Sequence, residues 1–381
     1  MEYESVMRRP AQWSLDAVWH RWFLIRRRIT WRNVLQTVVI LTAVLLLYHA
    51  YGILVSSLPR DVINYNGLDW GVAIKPPLVA KVSSTQGSDA LISFKVLQIP
   101  DMHYTGDPNF PCRDPPARDV NAKCTEARMM AFIATLLDDE KPDFVVFSGD
   151  QIESVEVHHT IYQVNKALYD FSKEVIRRSI PWAMVFGNHD EGDSMSKRHM
   201  FRRINAMPFS YSEYGPLGDS GRVGNYELHV SAPIDGPWGV TGKTLFRLYF
   251  FDSQDGQFTK QQMELAADLA EQYSHQHVPA IMFFHNPVPE FAAVGRAPAQ
   301  GVQGEAVSHA YTNSGFLQTI SQMGDVKGVF VGHDHLNDYC FEKETIHLCF
   351  GGGVGYGAAY GHPDIPRRAR VIQWTRTSQE C

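Results

Sequence analysis

Pro181–Asp190 reads PWAMVFGNHD. A short apolar run, Trp182–Phe186, gives way at once to Gly187-Asn188-His189-Asp190. An apolar run of that length is short for a helix, and apolarity at every position suits a strand covered on both faces. The same change recurs elsewhere. Ile92–Ile99 (ISFKVLQI) runs into Asp101-Met102-His103, and Phe144–Phe147 (FVVF) into Ser148-Gly149-Asp150. Ala280–Phe284 (AIMFF) runs into His285-Asn286, and Gly328–Val331 (GVFV) into Gly332-His333-Asp334-His335. Helical patterns lie between, over Glu126–Leu137, Tyr162–Arg178 and Thr259–Tyr273, the last with Thr259 and Gln262 in capping-box positions. Strands alternating with helices predict an α/β domain, and in such sheets ligands collect at the carboxyl ends of strands. All five polar clusters sit there.

The residue types at those ends suit one kind of chemistry. Phosphate esters resist hydrolysis because an anionic centre repels an anionic nucleophile. Two cations about 3.5–4 Å apart neutralise phosphoryl oxygens and lower the pKa of a bound water. Such a site needs a bridging carboxylate within a ring of His, Asp and Asn ligands. Asp101, His103, Asp150, Asn188, His285, His333 and His335 supply that set. Any one cluster could cap a turn instead; their order, each behind an apolar run, points to a shared metal site.

Asp101-x-His103, Gly149-Asp150, Gly187-Asn188-His189-Asp190, His285 and Gly332-His333-x-His335 resemble the calcineurin-like metallophosphoesterase family, over roughly Phe94–Trp374. Pro181–Asp190 and Cys340–Gly353 further resemble a branch of fungal phosphatases linked to dosage-dependent cell-cycle control and plant purple-acid-phosphatase-like proteins. The resemblance implies a four-layer α/β/β/α sandwich with two mixed sheets. It implies that Asp101, His103 and His335 bind one metal and that Asn188, His285 and His333 bind the other, with Asp150 bridging. A hydroxide between the metals would attack phosphorus in line. His189 would protonate the leaving alkoxide or contact the phosphoryl group, help worth about 10²–10⁴-fold. His189, Asp190 and Glu153 form the expected catalytic set.

One position departs from the purple enzymes. They carry a ligating Tyr three residues after the bridging Asp, where this chain has Glu153. A purple ferric centre is therefore not expected. Glu153 either orients His189 or is a solvated loop acid. Mixed O/N ligation suits Fe, Mn or Zn. The expected reaction is phosphomonoester hydrolysis, on a phosphoprotein or a small phosphate ester. A phosphodiesterase acting on nucleotides or lipid headgroups would use the same ligands. A non-catalytic module of this fold predicts missing ligands, and none is missing.

Val34–Val55 contains no formal charge and is dominated by Leu, Ile and Val. At the helical rise it is long enough for a bilayer core of about 30 Å, so a transmembrane signal anchor over 34–55 is expected. Residues 1–33 hold seven Arg against Glu2, Glu4 and Asp16, a balance of +4, so the chain's −6 leaves −10 beyond. The positive-inside rule then puts 1–33 in the cytoplasm and the catalytic domain on the lumenal or extracytoplasmic side, in the endomembrane system or vacuole. A buried helix, a signal peptide and a presequence are the alternatives. Residues 56–90 read as a linker and 91–381 as the catalytic domain. A domain that acidic is a poor match for nucleic acid.

There are five cysteines. Cys340 and Cys349 could face each other across a two-residue hairpin at Glu344-Thr345, and Cys112 and Cys124 could bridge a loop. Free buried thiols are the alternative, and Cys381 is left over. Arg198, Arg202 and Arg203 could clamp phosphate, though their near-helical spacing suits a solvated face. Tyr104 lines the pocket or belongs to the core. Residues 292–312 are placed to act as a flexible lid.

Overall fold

The computed structural model describes residues 31–57, 75–84, 91–119, 123–216, 221–293 and 300–377. It divides into a unit up to Asp69 and a second unit from Trp70 onward.

In the first unit, helix α1 spans Trp31–Ser57, and its side chains from Val34 to His49 are exposed. Among the described residues no helix is long and apolar enough to cross a membrane, so the expected span over 34–55 is not borne out there. Most of segment 1–33 lies outside the described residues.

The second unit is built on two mixed sheets. The first contains β1 (Lys81–Ser84), β2 (Leu91–Ile99), β3 (Phe144–Ser148), β4 (Trp182–Val185) and β11 (Arg370–Thr377). Strands β2, β3 and β4 run parallel, while β11 lies antiparallel along β2 from Leu91 to Gln98. The second has the order β5 (Tyr226–Ser231), β6 (Thr244–Phe250), β7 (Ala280–Phe283), β8 (Val326–Val331), β10 (Ile346–Phe350) and β9 (Cys340–Lys343). Its central strands β6, β7, β8 and β10 are parallel.

Every residue of β3 and β4 is buried, as their unbroken apolarity predicts. The sheets meet at aromatic contacts such as Phe94 with Phe246, ring centroids 5.6 Å apart. Gln98 of β2 pins one sheet to the other, its buried amide donating to Val331 O of β8 at 3.0 Å. Helices α2 (Ala127–Glu140), α3 (Ile161–Arg177) and α4 (Lys197–Ala206) accompany the first sheet. Helix α3 buries Val164, Leu168, Phe171 and Val175 at helical spacing, with Phe171 set edge-on to Phe147 of β3. Full burial of such side chains contributes about 1.5–3 kcal/mol each. Helices α5 (Lys260–Tyr273) and α6 (Phe316–Met323) pack on the second sheet through Ala266, Phe316, Leu317 and Ile320. The result is a helix–sheet–sheet–helix sandwich. Helix α5 starts with the capping box read from Thr259 and Gln262.

The sheet also reaches into the stretch expected to be linker. Leu78 and Ala80 are buried, and Ala80 N–H donates to Ser231 O. Strand β1 (KVSS) is short and half polar, so no hydrophobic period marks it.

Candidate metal centre

Strands β2, β3, β4, β7 and β8 end side by side, and each delivers its motif to the same place. The chain then turns sharply. Asp101, His103, Asp150 and His333 all have positive φ, at 53°, 45°, 52° and 77°. Non-glycine residues adopt this conformation at a cost of about 1–3 kcal/mol each, so the surroundings must hold it. They do so by cross-bracing the loops. Asp101 N–H donates to Gly149 O and His103 N–H to Asp150 O, while the Asp101 carboxylate accepts from His333 N–H at 2.9 Å. The motif glycines permit this closeness. A Cβ on Gly149 would lie 2.1 Å from His285 Nδ1, and one on Gly187 would lie 2.0 Å from Asp150 Oδ1.

Three imidazoles are locked in one orientation. His103 Nδ1 pairs with Glu153 Oε2 at 2.7 Å, His285 Nδ1 with Ser148 O at 3.0 Å, and His335 Nδ1 with Tyr360 O at 3.0 Å. Each acceptor is an oxygen, so each Nδ1 carries a proton and each Nε2 is the atom turned to the site, where a bound cation would take its lone pair. Those Nε2 atoms converge. His103 and His335 bring theirs within 3.0 Å of each other, with Asp101 Oδ1 3.6 Å from that of His335. His285 Nε2 lies 3.0 Å from Asp150 Oδ2 yet makes no hydrogen bond there.

Lone pairs and carboxylates gathered this closely, with a buried nitrogen left without a hydrogen-bond partner, fit cations. The groupings that could hold an ion are Asp101, His103 and His335 on one side and Asp150, His285 and His333 on the other. Burial, opposed in part by His285, raises the Asp101 pKa to about 7, as expected of an enclosed acid that a cation would compensate. Burial also pushes His333 down to about 3, keeping it neutral and able to ligate. Asn188 reaches the second grouping through Asn286, whose amide lies 3.2 Å from both Asn188 Oδ1 and His333 Nδ1. The expected ligands are thus brought together as two groupings about Asp150.

The expected catalytic residues take different places. Glu153 is buried, with Oε2 2.9 Å from His189 Nδ1 as well as 2.7 Å from His103 Nδ1. Burial alone would raise its pKa, but the bonds from His103 and His189 win and hold it well below the carboxylate range. It is no solvated loop acid. Burial works against the charged form of His189, yet its bond to Glu153 and the nearby Asp150 charge raise its pKa above the ordinary value. His189 lines the cleft over the centre. Asp190 lies beneath, accepting from the backbone N–H groups of Asp150, Ile152 and Gly187 at 3.0, 2.9 and 2.7 Å. It positions the loop that carries Asp150 and does not itself line the cleft.

The cleft has a volume of about 330 Å³, and its rim includes Arg113, Glu156, Glu305 and Tyr360. No pattern in the sequence marks Tyr360. Its ring stacks on His335 at 3.8 Å and its hydroxyl donates to Glu305 at 2.9 Å. No spacing rule ties a Tyr in a Gly- and Ala-rich loop to a His 25 residues earlier. Arg198 and Arg202 are exposed on α4 and do not line the cleft, and Tyr104 is buried against Asp170. Of the segment expected to be a lid, Gln300 and Gln303 bridge to Cys340 and Asn337, and residues 294–299 lie outside the described residues. Both disulfides form, Cys112–Cys124 and Cys340–Cys349, the second across the hairpin at Glu344-Thr345.

This fold and this ligand set define a metallophosphoesterase. The chain belongs to the calcineurin-like phosphoesterase family, whose model matches residues 94–337. It is 34% identical over 305 residues to probable inactive purple acid phosphatase 29 of Arabidopsis thaliana, covering 73% of this chain and 76% of the relative. It is 29% identical over 307 residues to phosphatase DCR2 of Saccharomyces cerevisiae, covering 74% of this chain and 51% of that protein. A dimetal phosphatase from Danio rerio shares the fold, with a TM-score of 0.50 at 17% identity, covering 75% of this chain and 99% of that one.

Proposed function

We propose that this chain is an active metal-dependent phosphomonoester hydrolase. The observation that carries this is the convergence of three Nε2 lone pairs with Asp101 and Asp150, each imidazole locked by its own acceptor. Asp101, His103 and His335 would hold one ion, and Asn188, His285 and His333 the other, with Asp150 shared. Two such ions, of Fe, Mn or Zn, would neutralise phosphoryl oxygens and acidify a water at the site. His189, kept protonated at Nδ1 by Glu153, presents Nε2 to the leaving oxygen as general acid.

The name "probable inactive" attached to a plant relative belongs to that protein. It favours a second reading, a binding module of this fold without turnover. Hydrolysis of p-nitrophenyl phosphate, set against the bis-ester, separates the possibilities. Monoester turnover that disappears in Asp150→Asn supports the proposal. Preferred cleavage of the bis-ester makes the chain a diesterase, and no turnover by fully metal-loaded protein sinks the catalytic reading.

We further propose that the domain works on the lumenal or extracytoplasmic side of a membrane, anchored through residues 34–55. The exposed apolar face of α1 and the two disulfides support this placement. Extraction of the full chain by alkaline carbonate, or digestion of its catalytic domain in intact vesicles, would overturn it.

A further inference from the structure

The cleft lining carries Glu156 and Glu305 and, among its described residues, a single Arg or Lys, Arg113. That arginine is firmly placed. Its N–H donates to Gly357 O at 2.8 Å, its carbonyl accepts from Arg367 Nη2 at 3.0 Å, and the preceding Cys112 is tied to Cys124. Its guanidinium, by contrast, is held only loosely. It pairs with both carboxylate oxygens of Glu156, at 3.2 and 3.1 Å, and the two side chains are 51% and 52% exposed. An ion pair that open is worth at most about 1 kcal/mol, so an incoming anion can take Glu156's place at little cost. Planar, bidentate geometry makes Arg a reader of carboxylate and phosphate. The metal ligands lie elsewhere in the same cleft and would engage the phosphoryl group to be transferred. Arg113 is left for the other end of the substrate.

We propose that Arg113 is the specificity-determining residue of the cleft, exchanging Glu156 for a second anionic group on the alcohol portion of a small phosphate ester. This rests on the phosphoesterase reading. A small molecule is chosen over a protein because the cleft, lined by Glu305, Ala306 and Ser308 among others, offers about 330 Å³, room for a ligand of that size. Glu156 then acts as the competing counter-ion: it holds the guanidinium in place between substrates and weakens the binding of esters that carry no second charge.

The test uses the metal-loaded full chain and non-hydrolysable probes, so that it does not depend on turnover. Phenylphosphonate carries the first anionic group alone; its 3- and 4-carboxyphenyl analogues add the second at two reaches. Calorimetric titration of wild type should show about a fivefold preference for one carboxylated probe at low salt. That ratio should fall to about one in Arg113→Gln, recover in part in Arg113→Lys, and rise in Glu156→Gln. It should also shrink in 1 M salt. A wild-type ratio of one, or a ratio unmoved in Arg113→Gln, overturns the assignment. A variant that weakens all three probes equally shows a structural role, which also overturns it. Parallel assays on p-nitrophenyl phosphate report on the hydrolase reading separately. Charge preference without turnover sinks that reading alone, and turnover without charge preference sinks the assignment of Arg113 alone.

Discussion

Glu153 Oε2 sits 2.7 Å from Nδ1 of His103, while the same carboxylate reaches His189 Nδ1 at 2.9 Å. One buried acid therefore orients an expected metal ligand and the expected general acid together. Glu153→Gln keeps the shape but can accept through only one oxygen. Loss of an outer carboxylate behind a ligating His typically lowers metal affinity about 10- to 100-fold. The expected outcome is that fall in competitive metal titrations, together with lower kcat on p-nitrophenyl phosphate. If metal affinity and kcat both match wild type, Glu153 has been given the wrong role.

The closeness of Gly187 to Asp150 makes a second prediction. A Cβ at Gly187 would lie 2.0 Å from Asp150 Oδ1 and 2.5 Å from its backbone nitrogen. Backbone cannot swing away as a side-chain tip does, so the loop itself must move. Gly187→Ala should cost roughly 1–3 kcal/mol or more by overpacking and should displace the shared carboxylate. Thermal unfolding and metal content should both fall. A variant with wild-type Tm and full metal loading would falsify this account of the glycine.

How much of this was legible follows from the same physics. Phe144–Phe147 and Trp182–Phe186 could be read as strands because they are apolar throughout and stop abruptly at Gly-Asp and Gly-Asn-His-Asp. The hairpin at Glu344-Thr345 was legible because two cysteines framed it, and both turn residues take the positive φ that a two-residue loop needs (52° and 65°). Strand β1 was not legible, since KVSS has no period to detect. Nor were Arg113, Asn286 and Tyr360. Asn286 matters only because Asn188 and His333, 98 and 47 residues away, fold against it. Glu153 lay between. Its spacing from Asp150 raised two roles, and only its burial beside two imidazoles decided which.

Glu126 predicts a pH effect on stability. Burial raises its pKa to about 7 from an ordinary 4.5, against the bond that its carboxylate accepts from Thr105 N–H at 2.6 Å. The folded chain therefore keeps this proton at pH values where the unfolded chain has lost it. Stability contributed by the group is fully present below about pH 4.5, declines as pH rises to about 7, and is level beyond. The total is on the order of 3 kcal/mol. Glu126→Gln cannot ionise and still accepts from Thr105. Urea unfolding of the variant should show a flatter pH dependence over that interval, with a gain over wild type at neutral pH. Parallel curves for the two proteins would mean that Glu126 has the same pKa folded and unfolded, and would overturn the raised value.

Tyr360 offers a test of how the first grouping is held. Its carbonyl accepts from His335 Nδ1, its ring stacks on the same imidazole at 12°, and its hydroxyl accepts from His335 N–H at 3.1 Å and donates to Glu305. The backbone contact survives any substitution; the others do not. Tyr360→Phe keeps the stack and loses the hydroxyl, which leaves Glu305 one donor short at a cost of about 1–3 kcal/mol. Tyr360→Ala removes the stack too and frees the imidazole to tilt. Metal affinity should therefore fall in the order wild type, Tyr360→Phe, Tyr360→Ala, with the larger step at the loss of the ring. Equal loss in both variants would assign the effect to the hydroxyl network through Glu305, and no loss in either would leave the backbone carbonyl as sufficient to orient His335.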